Sequence, residues 1–139
     1  MSYPKRYIPK SLSKKDKAKQ KKELNKSRRA YRTKRGKSRY HSRPKMKSFK
    51  SKKSGWTKKF HDKYPEAKTY TQISRETGIP VSALKAVVRK GRGAYYSSGS
   101  RPNQTAESWG RARMYSYILG GPTRKIDKGI TEKYNVKFP

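Results

Sequence analysis

The chain has no cysteine, only two histidines, and only eight carboxylates among 139 residues. Without cysteine there is no disulfide and no thiolate metal site, a usage that fits a reducing, intracellular assembly site. His41 and His61 supply too few nitrogen ligands for a zinc or iron centre. No catalytic triad or carboxylate pair can be assembled from this inventory, so neither an enzyme nor a cofactor is expected. No apolar run approaches ~20 residues, so none reads as a membrane span. The basic N-terminus lacks the apolar stretch of a signal peptide. The glycine- and serine-rich pieces Lys90-Gly91-Arg92-Gly93 and Ser97-Ser98-Gly99-Ser100 lack the spacing of nucleotide-binding loops.

Positive charge is what the chain has in excess. Residues Met1 to Phe60 hold 25 of the 40 Lys and Arg against two acids, Asp16 and Glu23, a net +23 of the total +32. The same stretch contains few aliphatics: Ile8, Leu12, Leu24 and Met46 after Met1. Its lysines repel one another, and its apolar groups are too few to offset the entropy of ordering. The composition predicts an intrinsically disordered arm that needs a polyanion or an acidic protein surface to neutralise it. Lysine outnumbers arginine there, 18 to 7. Lysine is a point charge suited to phosphates and acidic surfaces. Interleaved tyrosines would stack on bases or serve protein interfaces.

The expected organisation is linear: a basic extended arm and linker over 1–55, a small helical domain over 56–121, and a C-terminal tail over 122–139 with a short helix. Met1 to Pro9 reads as an extended peptide. Lys10 to Tyr31 is rich in helix formers with Ser11 or Ser13 as cap, a helix that like charges oppose until they are neutralised. Arg32 to Ser54 reads as irregular linker. Trp56, Phe60, Tyr64 and Ala67 form a helical stripe interrupted at Pro65. Two short helices then meet at Gly78-Ile79-Pro80, the second ending at Gly91-Arg92-Gly93. Thr105 caps a last helix, Ala106 to Leu119, in which Trp109 is expected to anchor against Leu84 and Val88. Gly120-Gly121-Pro122 stops it, and Asp127 caps a short turn from Lys128 to Tyr134. The fold class is small and all-α: a helix-turn-helix-like C-terminal domain with a long, highly basic, disordered N-terminal arm.

The helix-turn-helix reading rests on spacing. Ser74 is small in the first helix, Gly78 is the turn, and Leu84 and Val87 lie six and nine residues beyond it, where apolar groups lock the second helix across the first. Ser82, Lys85 and Arg89 would face outward, toward phosphates more than base edges. A helix–Gly–helix corner with no nucleic-acid role is the plain alternative.

From Thr77 the chain reads TGIPVSALKAVVRKGRGAYYSSGSRPNQTAESWGRARMYSYILGG. This segment resembles a small uncharacterised domain of tailed phages and large eukaryotic DNA viruses. The shared order is a Thr-Gly-Ile turn, an L-x-x-V helix, a Gly-x-Arg-Pro loop and a Trp-x-x-Ala-Arg helix. It falls here on Gly78, Leu84, Val87, Gly91, Ala94, Tyr95, Gly99, Arg101, Pro102, Trp109 and Arg113. Two positions depart from the pattern: Asn103 stands where the domain carries glycine, and Gly110-Arg111 precedes Ala112.

The resemblance implies a viral origin and brings no known enzymatic activity to inherit. Joined to the charge, it leads to a minor capsid or virion protein on the inner side of the shell, its arm cementing neighbouring subunits. The expected partners are capsid or other virion proteins with acidic surfaces, or lipid headgroups. The alternative is a DNA-binding protein that condenses the viral genome. The candidate binding residues are Lys14, Lys15, Lys17, Lys19, Lys21, Lys22, Arg28, Arg29, Arg32, Lys34 and Arg35 on the arm, with Ser82, Lys85, Arg89, Arg92 and Arg101 beyond it.

Overall fold

A computed structural model describes residues 3–50 and 54–139. Among these residues there are seven α-helices, a 3₁₀ turn and no strand, so the all-α expectation holds: α1 Lys14–Thr33, the turn at Gly36–Arg39, α2 Gly55–Lys63, α3 Tyr70–Thr77, α4 Val81–Ser97, α5 Ala106–Ile118, α6 Thr123–Ile126 and α7 Lys128–Lys133. The chain forms two compact units, one of Met1–Lys52 with Arg92–Ala106, the other of Lys53–Gly91 with Glu107–Pro139. This grouping differs from the linear division read from composition, because the loop segment near residue 100 belongs with the N-terminal residues.

In the first unit the disordered arm is not found. α1 forms with Ser13 as its cap, the hydroxyl accepting from the Asp16 amide at 3.1 Å. Gln20, Leu24, Ser27 and Ala30 recur at helical spacing and are all buried. Four like-charge pairs at i, i+4 (Lys15/Lys19, Lys17/Lys21, Lys22/Lys26, Arg28/Arg32) oppose the helix by about 1–2 kcal/mol together, taking ~0.2–0.5 each. Burying Leu24 alone, which is 0% exposed, contributes about 1.5–3 kcal/mol. The buried stripe therefore outweighs the repulsion. Charge counting missed it because one leucine, one alanine and two polar side chains, Gln20 and Ser27, look weak as a hydrophobic signal. Residues 3–13 are not an extended peptide either. They fold in turns closed by the Tyr7 amide on the Pro4 carbonyl and the Leu12 amide on Pro9, and both Tyr7 and Leu12 are buried.

Of the stretch expected as linker, residues 34–50 are irregular apart from the 3₁₀ turn yet are tied down by side-chain bonds, and residues 51–53 lie outside the described residues. The Arg43 guanidinium donates to the Ser27 hydroxyl at 2.8 Å, the Tyr95 carbonyl at 2.7 Å and the Ser100 hydroxyl at 2.7 Å, and lies 3.8 Å from the Tyr95 ring centroid. The Asn103 side chain accepts from the Met46 amide at 2.6 Å and donates to the Met46 and Phe49 carbonyls. Asn103 has φ +63°, the left-handed region that glycine, and after it asparagine, adopts most readily. Gly99, at φ +115°, presses its bare Cα against Leu24 and Tyr7. A Cβ there would lie 2.9 Å from Leu24 Cδ2.

The second unit holds the larger core: Phe60, Ala67, Ile73, Ile79, Ala83, Leu84, Val87, Val88, Met114, Tyr115, Tyr117, Ile118, Ile130 and Val136. α2 ends before Pro65 as expected. α3 opens on a reciprocal cap, the Thr69 hydroxyl accepting from the Gln72 amide while Gln72 Oε1 accepts from the Thr69 amide. It closes on Gly78 at φ +76°. Leu84 and Val87 are fully buried, so the corner between α3 and α4 is locked where the spacing predicts.

Two expectations fail at one place. α4 does not end at Gly91 but continues to Ser97. Gly91 is instead a packing position: a Cβ on it would fall 2.6 Å from the Gly110 Cα. Two glycines let α4 and α5 cross at close range. Gly110 is buried there, while Trp109 beside it is only half-buried and lies outside the core. The anchors of α5 are Met114, Tyr117 and Ile118. Its end is held by Arg124, which donates to the Tyr117 carbonyl at 2.9 Å and the Ile118 carbonyl at 2.7 Å. Asp127 does not use its side chain as a cap. Its fully buried carboxylate takes both arms of Arg113, at 2.8 and 2.6 Å, which settles that arginine as structural.

Candidate polyanion-binding face

At 100° per residue, the side of α1 about 125° round from the buried stripe carries Lys15, Lys19, Lys22, Lys26 and Arg29 in one row. All five are exposed. At 1.5 Å per residue the row is about 21 Å long. Lys14, Lys21 and Arg32 are exposed on the flank, as are Lys34 and Arg35 just past the helix end. Lys17 and Arg28 are half-buried, the Arg28 guanidinium 5.2 Å from the Tyr3 ring centroid.

The two acids of α1 are engaged mainly off this row, and only Lys26 is paired with one of them. Asp16 accepts from the Ser48 amide at 3.0 Å and the Ser48 hydroxyl at 2.5 Å. Those bonds hold its carboxyl below the ordinary value. Glu23 is tied to His41 Nε2 at 2.6 Å, with Lys26 Nζ 3.8 Å from its other oxygen. Burial pushes its carboxyl up, but the His41 bond and the nearby positive charges bring it below the ordinary value. Arg43, half-buried, has its pKa pushed down by that burial. Neutral carbonyl and hydroxyl oxygens receive it.

Beside the row an open cleft of 610 Å³ is lined by Lys26, Arg29, Lys34, Lys37, Tyr40 and His41 among others. Of these the sequence reading missed Lys26 and Lys37 as binding residues. Lys26 was legible, four residues after Lys22 on one helical face. Lys37 was not, since its place depends on the 3₁₀ turn.

In the second unit Ser82, Lys85 and Arg89 are exposed along α4. Lys85 Nζ and the Arg111 guanidinium both lie over Tyr70, 5.8 and 5.5 Å from its ring centroid. This basic patch is smaller than the α1 row. Arg92 and Arg101 are exposed in the first unit. Among the described residues no group of three His, Cys, Asp or Glu could hold a metal, and no helix is long and apolar enough to cross a membrane.

The longest helix, α1, thus turns to solvent a cationic row in which only Lys26 is paired with an acid. By sequence, the chain belongs to a family of unknown function, DUF5824, whose pattern spans residues 4–135. No curated protein and no solved structure matches it.

Proposed function

We propose that the protein is a non-enzymatic nucleic-acid-binding protein that holds phosphate backbones on the outer face of α1. The observation that carries this is the exposed row from Lys15 to Arg29, in which only Lys26 has a carboxylate partner while Asp16 is held by Ser48 and Glu23 chiefly by His41. Four of its five cations are lysines, which attract phosphates without reading sequence. The other expected role, a disordered arm threading between capsid subunits, loses its premise when that segment is folded onto Arg92–Ala106. The resemblance to a phage and viral domain supports a viral genome as the polyanion, and a virion or its assembly site as the location.

The test is a salt series with the full chain and a fluorescent DNA duplex. Engaging five phosphates gives log K against log salt a slope of about −4.5. Replacing Lys15, Lys19 and Lys22 together by glutamine, a good helix former, removes the Lys15/Lys19 and Lys22/Lys26 repulsions from α1, so the helix persists. The slope should become shallower by about 2.7. Lys85→Glu with Arg89→Glu should change it far less. An unchanged slope in the triple variant would refute the assignment, as would tight binding only to acidic proteins.

A further inference from the structure

Tyr40 is one of only two large hydrophobic side chains exposed among the described residues, at 49%. Its ring is held in place from behind. The Tyr96 ring lies 5.1 Å away and the Tyr31 ring 6.4 Å away, centroid to centroid. The Arg39 guanidinium sits 4.0 Å over Tyr31 and 5.9 Å from Tyr40, and donates to the Tyr31 carbonyl at 3.1 Å. The Arg39 Nε is buried without a hydrogen-bond partner, so the guanidinium is placed by ring packing as well as by polar bonds. In front of the ring lies the cleft lined by Lys26, Arg29, Lys34 and Lys37. The one carboxylate nearby, Glu23, is bound to His41.

A solvent-facing aromatic ring, fixed by neighbours and set among four cations, has the chemistry of a base-stacking platform. The cations suit the phosphates on either side of one nucleotide. The ring suits a base whose face is open. In a duplex the faces are covered by stacking, so only an unpaired base can use it. Because the ring is already ordered, little side-chain entropy is lost when a base lands on it.

We propose that Tyr40 stacks an unpaired nucleobase in this cleft and gives the protein a preference for single-stranded nucleic acid. This rests on the nucleic-acid reading above and adds the strand state it selects. The test compares a fluorescent oligo-dT of about 12 nucleotides, a duplex with the same number of phosphates, and inorganic polyphosphate as a charge-only competitor, all with the full chain. Tyr40→Ala and Tyr40→Leu should each weaken oligo-dT binding about five- to hundredfold, the range for loss of one stacked base. Tyr40→Phe, which keeps the ring face, should restore it. Duplex and polyphosphate affinities should stay within about twofold, because the phosphate contacts are untouched. Two results would overturn the stacking role alone: wild-type binding that Tyr40→Leu leaves intact, or a Tyr40→Phe variant as weak as Tyr40→Leu. Absence of salt-sensitive binding to any nucleic acid by the wild-type chain would overturn the proposed function with it.

Discussion

Replacing Gly91 by alanine sets two effects of known size against each other. Inside a helix, glycine is less favourable than alanine by about 0.5–1 kcal/mol, so propensity alone predicts a more stable protein. The added Cβ, however, would meet the Gly110 Cα at 2.6 Å, with Gly110 N and Arg113 Cδ both at 3.3 Å. The nearest of these is backbone and cannot swing aside, so the helices must separate to restore van der Waals distance. Overpacking of this kind costs about 1–3 kcal/mol. The net expectation is a loss of up to about 2.5 kcal/mol, a fall in Tm of up to roughly 20 °C at ~4–8 °C per kcal/mol for a domain of this size. Gly129→Ala is the matched control. It also lies within a helix, but a Cβ there meets nothing within 4 Å, so it should raise Tm slightly. Thermal melts followed by far-UV circular dichroism decide the matter. A Gly91→Ala protein that melts as high as Gly129→Ala would refute the close crossing of α4 and α5.

Two further outcomes test the first unit. Leu24→Ala should cost about 2–5 kcal/mol and expose α1, so that limited trypsin digestion cuts first between Lys14 and Arg32. Equal cutting in wild type and variant would show that the arm is not docked. Asp16 and Glu23 titrate below their ordinary values, so their contribution is complete above about pH 5 and lost as pH falls through the lower folded values. Helicity followed by circular dichroism should therefore hold down to about pH 5 and decline below it, with Glu23→Gln removing part of that decline.

The second unit was legible in the sequence because local rules and packing agree there. Gly78 at a left-handed position, Leu84 and Val87 at locking offsets, and the stop after Ile118 all follow from short spacings. Gly91 was misread because a helix-internal glycine needed for a crossing has the same letter as one that ends a helix. Only the second helix, with its own glycine at position 110, tells them apart. The first unit was illegible for a different reason. Its core is assembled from residues far apart in sequence, Tyr7, Leu24, Met46 and Tyr95, and its polar centre is an arginine that composition assigns to solvent. The basic row was read nearly whole, because exposure on a helix follows from periodicity once the helix is granted. The cleft around Tyr40 was not, since it depends on how the chain turns after Thr33.

Asn103 combines two properties that glycine would separate. Its backbone takes a conformation that glycine adopts at least as easily, so a glycine there would leave the turn intact. Its side chain, through bonds to Met46 and Phe49, fastens the segment that follows α1. Glycine at this position would thus keep the loop and release the latch. The attachment of the basic segment is in this sense a separable trait, and one substitution that leaves the turn untouched can change how firmly the chain holds its own positive charge.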